Sequence, residues 1–221
     1  MTRAPKPLHR PLAVWALLSV LAACVPKLSP LSGAPAPASS MPKPTLIGHQ
    51  QVVFNWELQD KDMVARGDGS ARLSAPDSGR LDFFVGGGFG GGAAVLIGDS
   101  LRLPASTMSD MVSRIVPPPP LLWAALGRVA LPNLPDTVIR IDGATLRADV
   151  GNPVAWRLTF RGDTLTRAER VENGRVIEWV DRADPAHVRY RNENARRSLQ
   201  LTLTRSYEVP GFDASIWRFD P

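Results

Sequence analysis

The chain has 221 residues, of which 44% are hydrophobic and 21% charged, with 26 basic side chains against 21 acidic ones and one cysteine. This length suits one domain of ordinary size, and a lone cysteine excludes an internal disulfide framework and any cysteine-based metal site. A formal charge of +5 gives little support for nucleic-acid binding.

Part of that charge belongs to the N-terminus. The first ten residues carry Arg3, Lys6 and Arg10 and no acid, and an apolar run from Leu12 to Leu21 follows, broken only by Ser19. The run ends in Leu21-Ala22-Ala23-Cys24. A basic start, a short apolar stretch and a small-residue cleavage site describe a secretory signal over residues 1–23. The stretch is shorter than the about 20 apolar residues of a transmembrane helix, and no later segment approaches that length. The tetrapeptide resembles the bacterial lipobox. The resemblance implies a diacylglyceryl thioether on the Cys24 sulfur, cleavage before Cys24 and acylation (as by palmitate) of the new amine. Small Ala22 and Ala23 suit a protease groove, and the thiol is the soft nucleophile that alkylation needs. Removal of residues 1–23 leaves 198 residues with 23 bases against 21 acids, a net charge of +2.

Residues 24–45 then read as the lipidated cysteine and a Pro/Ala/Ser-rich tether. As a flexible chain it reaches on the order of 25 Å. A single folded domain is expected over 46–221. Its pattern is mostly period two: Val52, Phe54, Trp56 and Leu58 share one face, as do Val154, Trp156, Leu158 and Phe160, then Ile177 and Trp179, then Leu199, Leu201 and Leu203. Such alternation marks half-buried strands. Strands are predicted at 49–59, 62–74, 80–85, 93–98, 100–103, 137–142, 145–150, 154–161, 164–172, 175–182, 187–191 and 197–207. Pro76-Asp77-Ser78-Gly79, Asp142-Gly143, Gly162-Asp163 and Asn173-Gly174 supply tight turns. The result is an antiparallel meander. Mid-chain, Thr107 to Val116 reads as a short helix, Pro117 to Pro120 as polyproline II, and Leu121 to Leu131 as a second helix with Pro120 near its first turn. The fold class expected is mainly β (α+β): a strongly curved antiparallel half-barrel with a short helical lid inserted mid-chain.

With this order of elements the chain resembles the LolA/LolB superfamily of bacterial lipoprotein carriers and receptors. Leu121-Leu122-Trp123-Ala124-Ala125-Leu126-Gly127, followed by Leu131-Pro132, is similar to the lid segment of the LolB branch. The resemblance implies an incomplete bent barrel closed by a helical lid over an apolar cavity for acyl chains, on the periplasmic face of the outer membrane. The chain departs from the family where Gly48-His49-Gln50 leads directly into a strand, without a preceding amphipathic helix. Candidate cavity or lid residues are Phe54, Trp56, Phe84, Leu122, Trp123, Leu126, Trp156, Phe160 and Trp179. A packed core is the competing account of each.

Gly86 to Gly92 (GGGFGGG) formally contains Gly-x-Gly-x-x-Gly. A strand-like Ala93-Ala94-Val95-Leu96-Ile97 follows it, so the helix N-terminus of a dinucleotide site is missing. Phe89 stands alone between two glycine triplets. LolB-type receptors present a protruding apolar residue on the loop between their third and fourth strands, so the resemblance makes Phe89 a candidate membrane or lipid contact; the plainer reading is a flexible hairpin loop. His49 and His187 read as surface or strand-end residues. There is no Gly-x-Ser-x-Gly, His-Glu-x-x-His or paired-carboxylate motif, and Asp60, Asp62 and Asp68 lack the remaining positions of a calcium loop. No enzyme activity, metal or cofactor is expected. Arg189, Arg191, Arg196 and Arg197 form a basic cluster, either a solvated face or a contact for anionic headgroups. The partners expected are a membrane through Cys24, and acyl chains or lipoproteins. The alternative function is a structural or assembly lipoprotein that binds an envelope protein.

Overall fold

The computed structural model describes residues 27–88, 90–104 and 109–219. Its strands are β1 (Ala34–Ala36), β2 (His49–Gln59), β3 (Val64–Ser74), β4 (Ser78–Val85), β5 (Gly91–Ile97), β6 (Ser100–Arg102), β7 (Thr137–Asp142), β8 (Thr145–Val150), β9 (Trp156–Arg161), β10 (Thr164–Glu172), β11 (Arg175–Asp184), β12 (His187–Asn192) and β13 (Arg197–Glu208). Two short helices, α1 (Ser109–Ile115) and α2 (Pro119–Ala125), lie between β6 and β7. Every strand expected from the alternation is present, most within two residues of the expected bounds.

All the strands join one open antiparallel sheet in the order β1-β7-β8-β9-β10-β11-β12-β13-β2-β3-β4-β5-β6. The last long strand pairs with the first: β13 runs against β2 from Ser198↔Gln59 to Glu208↔Gln50. This closure of the meander leaves β6 and β7 near opposite edges. The connection between them therefore has to cross the whole sheet, and it crosses the concave face. Val112, Ile115, Leu121, Leu122 and Trp123 bury there against the inward residues of the strands, among them Phe54, Trp56, Leu81, Phe83, Leu158, Phe160 and Leu199.

The curvature has a local cause in β3. Its inward positions read Gly67, Gly69, Ala71 and Leu73, opposite Trp56, Phe54, Val52 and Gln50 of β2. A Cβ on Gly67 would stand 1.8 Å from the Phe84 carbonyl oxygen, and one on Gly69 would stand 2.3 Å from the Phe54 ring. Missing side chains let the sheet fold tightly while the aromatic rings of β2 fill the inside of the bend.

Two departures from the sequence reading concern the ends. Within the Pro/Ala-rich segment, Ala34–Ala36 pairs with β7 at the sheet edge, the Leu28 amide donates to the Gly174 carbonyl at 2.9 Å, and Met41 packs against the core. Edge pairing needs backbone groups rather than an apolar pattern, and an edge strand tolerates Pro35. The C-terminal segment lies across β4. Arg80 donates to the Ile216 carbonyl at 2.8 Å, and Asp213 accepts from the Ser215 amide at 2.8 Å. The second helix is also shorter than expected and starts earlier. Pro119 and Pro120 sit in its first turn, where amide hydrogens have no intrahelical partner and proline costs nothing.

Candidate functional site

The helix α2 is apolar all round, and Leu121, Leu122, Trp123, Ala124 and Ala125 are all buried. A helix with no polar face belongs inside a protein, and this one plugs the concavity. Gly127 ends it in the left-handed region, with φ +83°. The Gly127 amide bonds to the Ala124 carbonyl at 3.0 Å and the Arg128 amide to the Trp123 carbonyl at 2.9 Å, a Schellman arrangement. The Ala125 carbonyl is taken by the Arg182 guanidinium, which reaches in from β11. The indole N–H of Trp123 donates to the Gly98 carbonyl at 2.6 Å.

Between α2 and the sheet lies a cavity of about 140 Å³, lined by Phe54, Leu81, Ala125, Leu126, Leu201 and Arg182, among others. A second void of about 10 Å³ continues beneath Leu122 and Pro117, and it shares Leu81, Ala125 and Leu201 with the first. Most of the lining side chains are apolar, but Gln50, Ser206 and the Arg182 guanidinium give the cavity a polar side, and burial holds that guanidinium below its usual pKa. Elsewhere on the inner face, the Glu178 carboxylate is 4% exposed. It accepts from Arg170 at 2.8 Å, from the Tyr190 hydroxyl at 3.0 Å and from Asn192. Burial, and the adjacent Glu178 charge, push the Tyr190 hydroxyl well above its ordinary pKa.

Of the residues singled out from the sequence, Phe54, Trp56, Trp123, Trp156 and Phe160 are buried on the inner face with Leu122, and Leu126 packs beside them. Phe54 and Trp56 each meet Phe83 edge-on, at 5.8 and 6.0 Å. Two residues correct the expectation. Phe84 is 54% exposed, because Leu81 and Phe83 take the inward positions of β4. Trp179 faces outward: its inward neighbour is Val180, its ring lies under the Arg167 guanidinium at 4.4 Å, and its N–H donates to Glu193 at 2.9 Å. An outward tryptophan is stable here because a cation covers its face and a carboxylate takes its proton. Cys24 and Phe89 lie outside the described residues. Beside Phe89, the Val85 amide donates to the Gly90 carbonyl at 3.0 Å. Phe84 borders a surface groove with Gly90, Gly91, Gly92 and Phe219.

Half of the basic cluster is ion-paired among the described residues. Arg197 pairs with Asp60 at 2.9 Å and Arg191 with Glu193 at 3.3 Å. His187 bonds to exposed Asp184 at 2.7 Å, and His49 to the Ser74 hydroxyl at 2.9 Å. Among the described residues no group of three or more potential metal ligands comes together. Arg182 and Arg128 were not singled out from the sequence. One signal for Arg182 was available: it falls two residues after inward Val180, a charge on the apolar side of an alternating strand.

No protein-family model and no curated protein matches this chain. Solved structures do. A LolA superfamily protein from Nitrosomonas europaea is 11% identical with a TM-score of 0.48, over 78% of this chain and 90% of its own. A DUF1329 family protein from Desulfovibrio piger is 9% identical with a TM-score of 0.40, over 77% and 89%. A domain described as an outer membrane lipoprotein-sorting protein, from Vibrio parahaemolyticus, is 8% identical with a TM-score of 0.36, over 77% and 89%. These are likenesses of fold alone, and they do not carry those proteins' functions to this chain. The open curved sheet with helices across its concave side is the architecture that the sequence resemblance implied.

Proposed function

We propose that this chain is an envelope lipoprotein of LolA/LolB-like type that shelters acyl chains, free or borne by a lipoprotein, beneath α2, without covalent chemistry. One observation carries the reading: a wholly apolar helix plugs the open side of a curved sheet. Magnitudes favour exchange of helix for ligand. Burial of Leu121, Leu122 and Trp123 is worth about 1.5–3 kcal/mol each. A chain of about 12 methylenes entering the same space is worth roughly 10 kcal/mol. The two are comparable, so a ligand can displace the plug without disrupting the sheet.

In this reading the anchor and the glycine-rich loop share one end of the sheet. Strand alternation places the 86–90 loop, the 60–63 turn and the Asn173-Gly174 hairpin together at that end. Lys27 bridges to Arg175 beside the hairpin, and Cys24 lies three residues upstream, within roughly 11 Å of extended chain. The acyl anchor and Phe89 would then both face the membrane.

Native mass spectrometry of the protein released from its membrane in mild detergent tests the proposal, with co-purifying lipid or fatty acid expected on the chain. A consistently empty protein would favour the second reading, a protein-binding scaffold. That reading has its own support: the cavity of about 140 Å³ is below the roughly 300 Å³ at which ligand pockets begin.

A further inference from the structure

Seven of the twenty described arginines form an ion pair with a carboxylate, and most of the others are exposed. Arg157 grips Asp149 at 2.6 Å, Arg170 holds Glu178 at 2.8 Å, and Arg197 holds Asp60 at 2.9 Å. Two arginines at the C-terminal turn of α2 differ. Among the described residues, neither Arg182 nor Arg128 forms an ion pair. Arg182 lines the cavity on its polar side with Gln50 and Ser206, and among the described residues its hydrogen bond is to the Ala125 carbonyl. Its Nη2 lies 3.3 Å from where a Gly127 Cβ would stand, so it rests against the turn itself. Arg128 follows Gly127, and its guanidinium stacks on the Trp123 ring at 4.6 Å. The Arg128 Nε and Nη1 are buried with no acceptor.

A partly buried cation without a counter-charge is costly, and a cavity walled mostly by apolar side chains does not need one. The cost is recovered when an anion arrives with the ligand, because a guanidinium binds carboxylate or phosphate through two parallel N–H groups. We propose that Arg182 receives the anionic head of an amphiphile whose acyl chain lies in the cavity beneath α2. The site selects for charge at the head and is tolerant along the chain. The cavity also borders Gln50 and Ser206, at the start of β2 and near the end of β13. Its charged end therefore lies opposite the Gly174 hairpin, and the head is taken up away from the anchor. The inference rests on the lipid-binding reading above and names the ligand class.

The test uses the full chain made by cell-free synthesis without acylation. Affinities for laurate, methyl laurate, lysophosphatidate and dodecyltrimethylammonium are read from intrinsic tryptophan fluorescence and checked by calorimetry. The wild type is expected to bind laurate or lysophosphatidate about tenfold more tightly than methyl laurate, and dodecyltrimethylammonium most weakly. The stronger of the two anions tells a carboxylate head from a phosphate. Arg182→Gln is expected to abolish the preference for an anionic head over methyl laurate, and Arg182→Lys to restore part of it. Wild-type affinities for laurate and lysophosphatidate that both merely equal that for methyl laurate would overturn the proposal and leave lipid binding standing; that comparison needs no variant. Failure to bind any of the four would instead sink the lipid-binding reading itself.

Discussion

Tyr190 and Glu178 face each other on the inner side of the sheet, where Arg170 and Asn192 also bond to the carboxylate. The hydroxyl donates to the carboxylate at 3.0 Å, and ionising it would set two negative charges together in a buried place. Burial and Glu178 therefore both raise its pKa. The consequence for stability has a definite sign. Below pH about 10 the folded and unfolded chains both keep this proton, and the group adds no pH dependence. Above that pH the unfolded chain releases it and the folded chain does not, so stability falls by about 1.4 kcal/mol per pH unit until the folded pKa is reached. Urea unfolding between pH 9 and 11.5 should show this slope in the wild type and lose it in Tyr190→Phe. Equal slopes in the two proteins would mean that Tyr190 ionises as readily folded as unfolded.

Among the elements, β3 and α2 carry the greatest constraint. The bend in β3 depends on Gly67, where a Cβ would meet a backbone carbonyl oxygen at 1.8 Å. Backbone cannot rotate out of the way as a side chain can. Gly67→Ala should therefore cost about 3 kcal/mol, at the upper end for overpacking, as measured by chemical denaturation. Gly48→Ala, with nothing near its Cβ but a φ of +62°, should cost only the left-handed strain of about 1–2 kcal/mol. In α2 the constraint is one of ends. Its flanks are apolar, and its C-terminal carbonyls are held by the Gly127 turn and by Arg182. A helix held mostly by burial and at few polar points is suited to lifting as a unit.

At the scale of the whole molecule, pairing of β13 with β2 decides everything that follows. It sends the β6-to-β7 connection across the concave face and puts α2 inside. It also separates two ends about 35 Å apart along the 11-residue β2. One carries the 86–90 loop and the Gly174 hairpin; the other carries Arg182, Gln50 and Ser206. If the first end meets a membrane, Phe89→Glu should weaken association of the unacylated protein with liposomes of mixed phosphatidylglycerol and phosphatidylethanolamine, in a flotation assay. Undiminished flotation would remove the loop from the membrane reading.

The sequence by itself determined the strands, since alternation of Val52, Phe54, Trp56 and Leu58 against polar neighbours has few other solutions, and Asn173-Gly174 and its like set the turns. It also placed two helices between β6 and β7 but ran the second through Gly127 to Leu131, whereas α2 ends at Ala125 and Gly127 turns the chain away. Tertiary structure alone decided which face some strands present. Phe83 rather than Phe84, and Val180 rather than Trp179, point inward because neighbouring strands fix the register, and an aromatic side chain is acceptable on either side when a cation or carboxylate attends it. Edge pairing by Ala34–Ala36 was illegible for a related reason: backbone hydrogen bonds leave no mark on side-chain pattern. The reading of residues 1–23 as an export signal, with Cys24 as the acylated residue, rests on the sequence throughout. Arg182 shows the limit most clearly, because its unpaired burial exists only once β11 and the end of α2, 57 residues apart in the chain, are packed against one another.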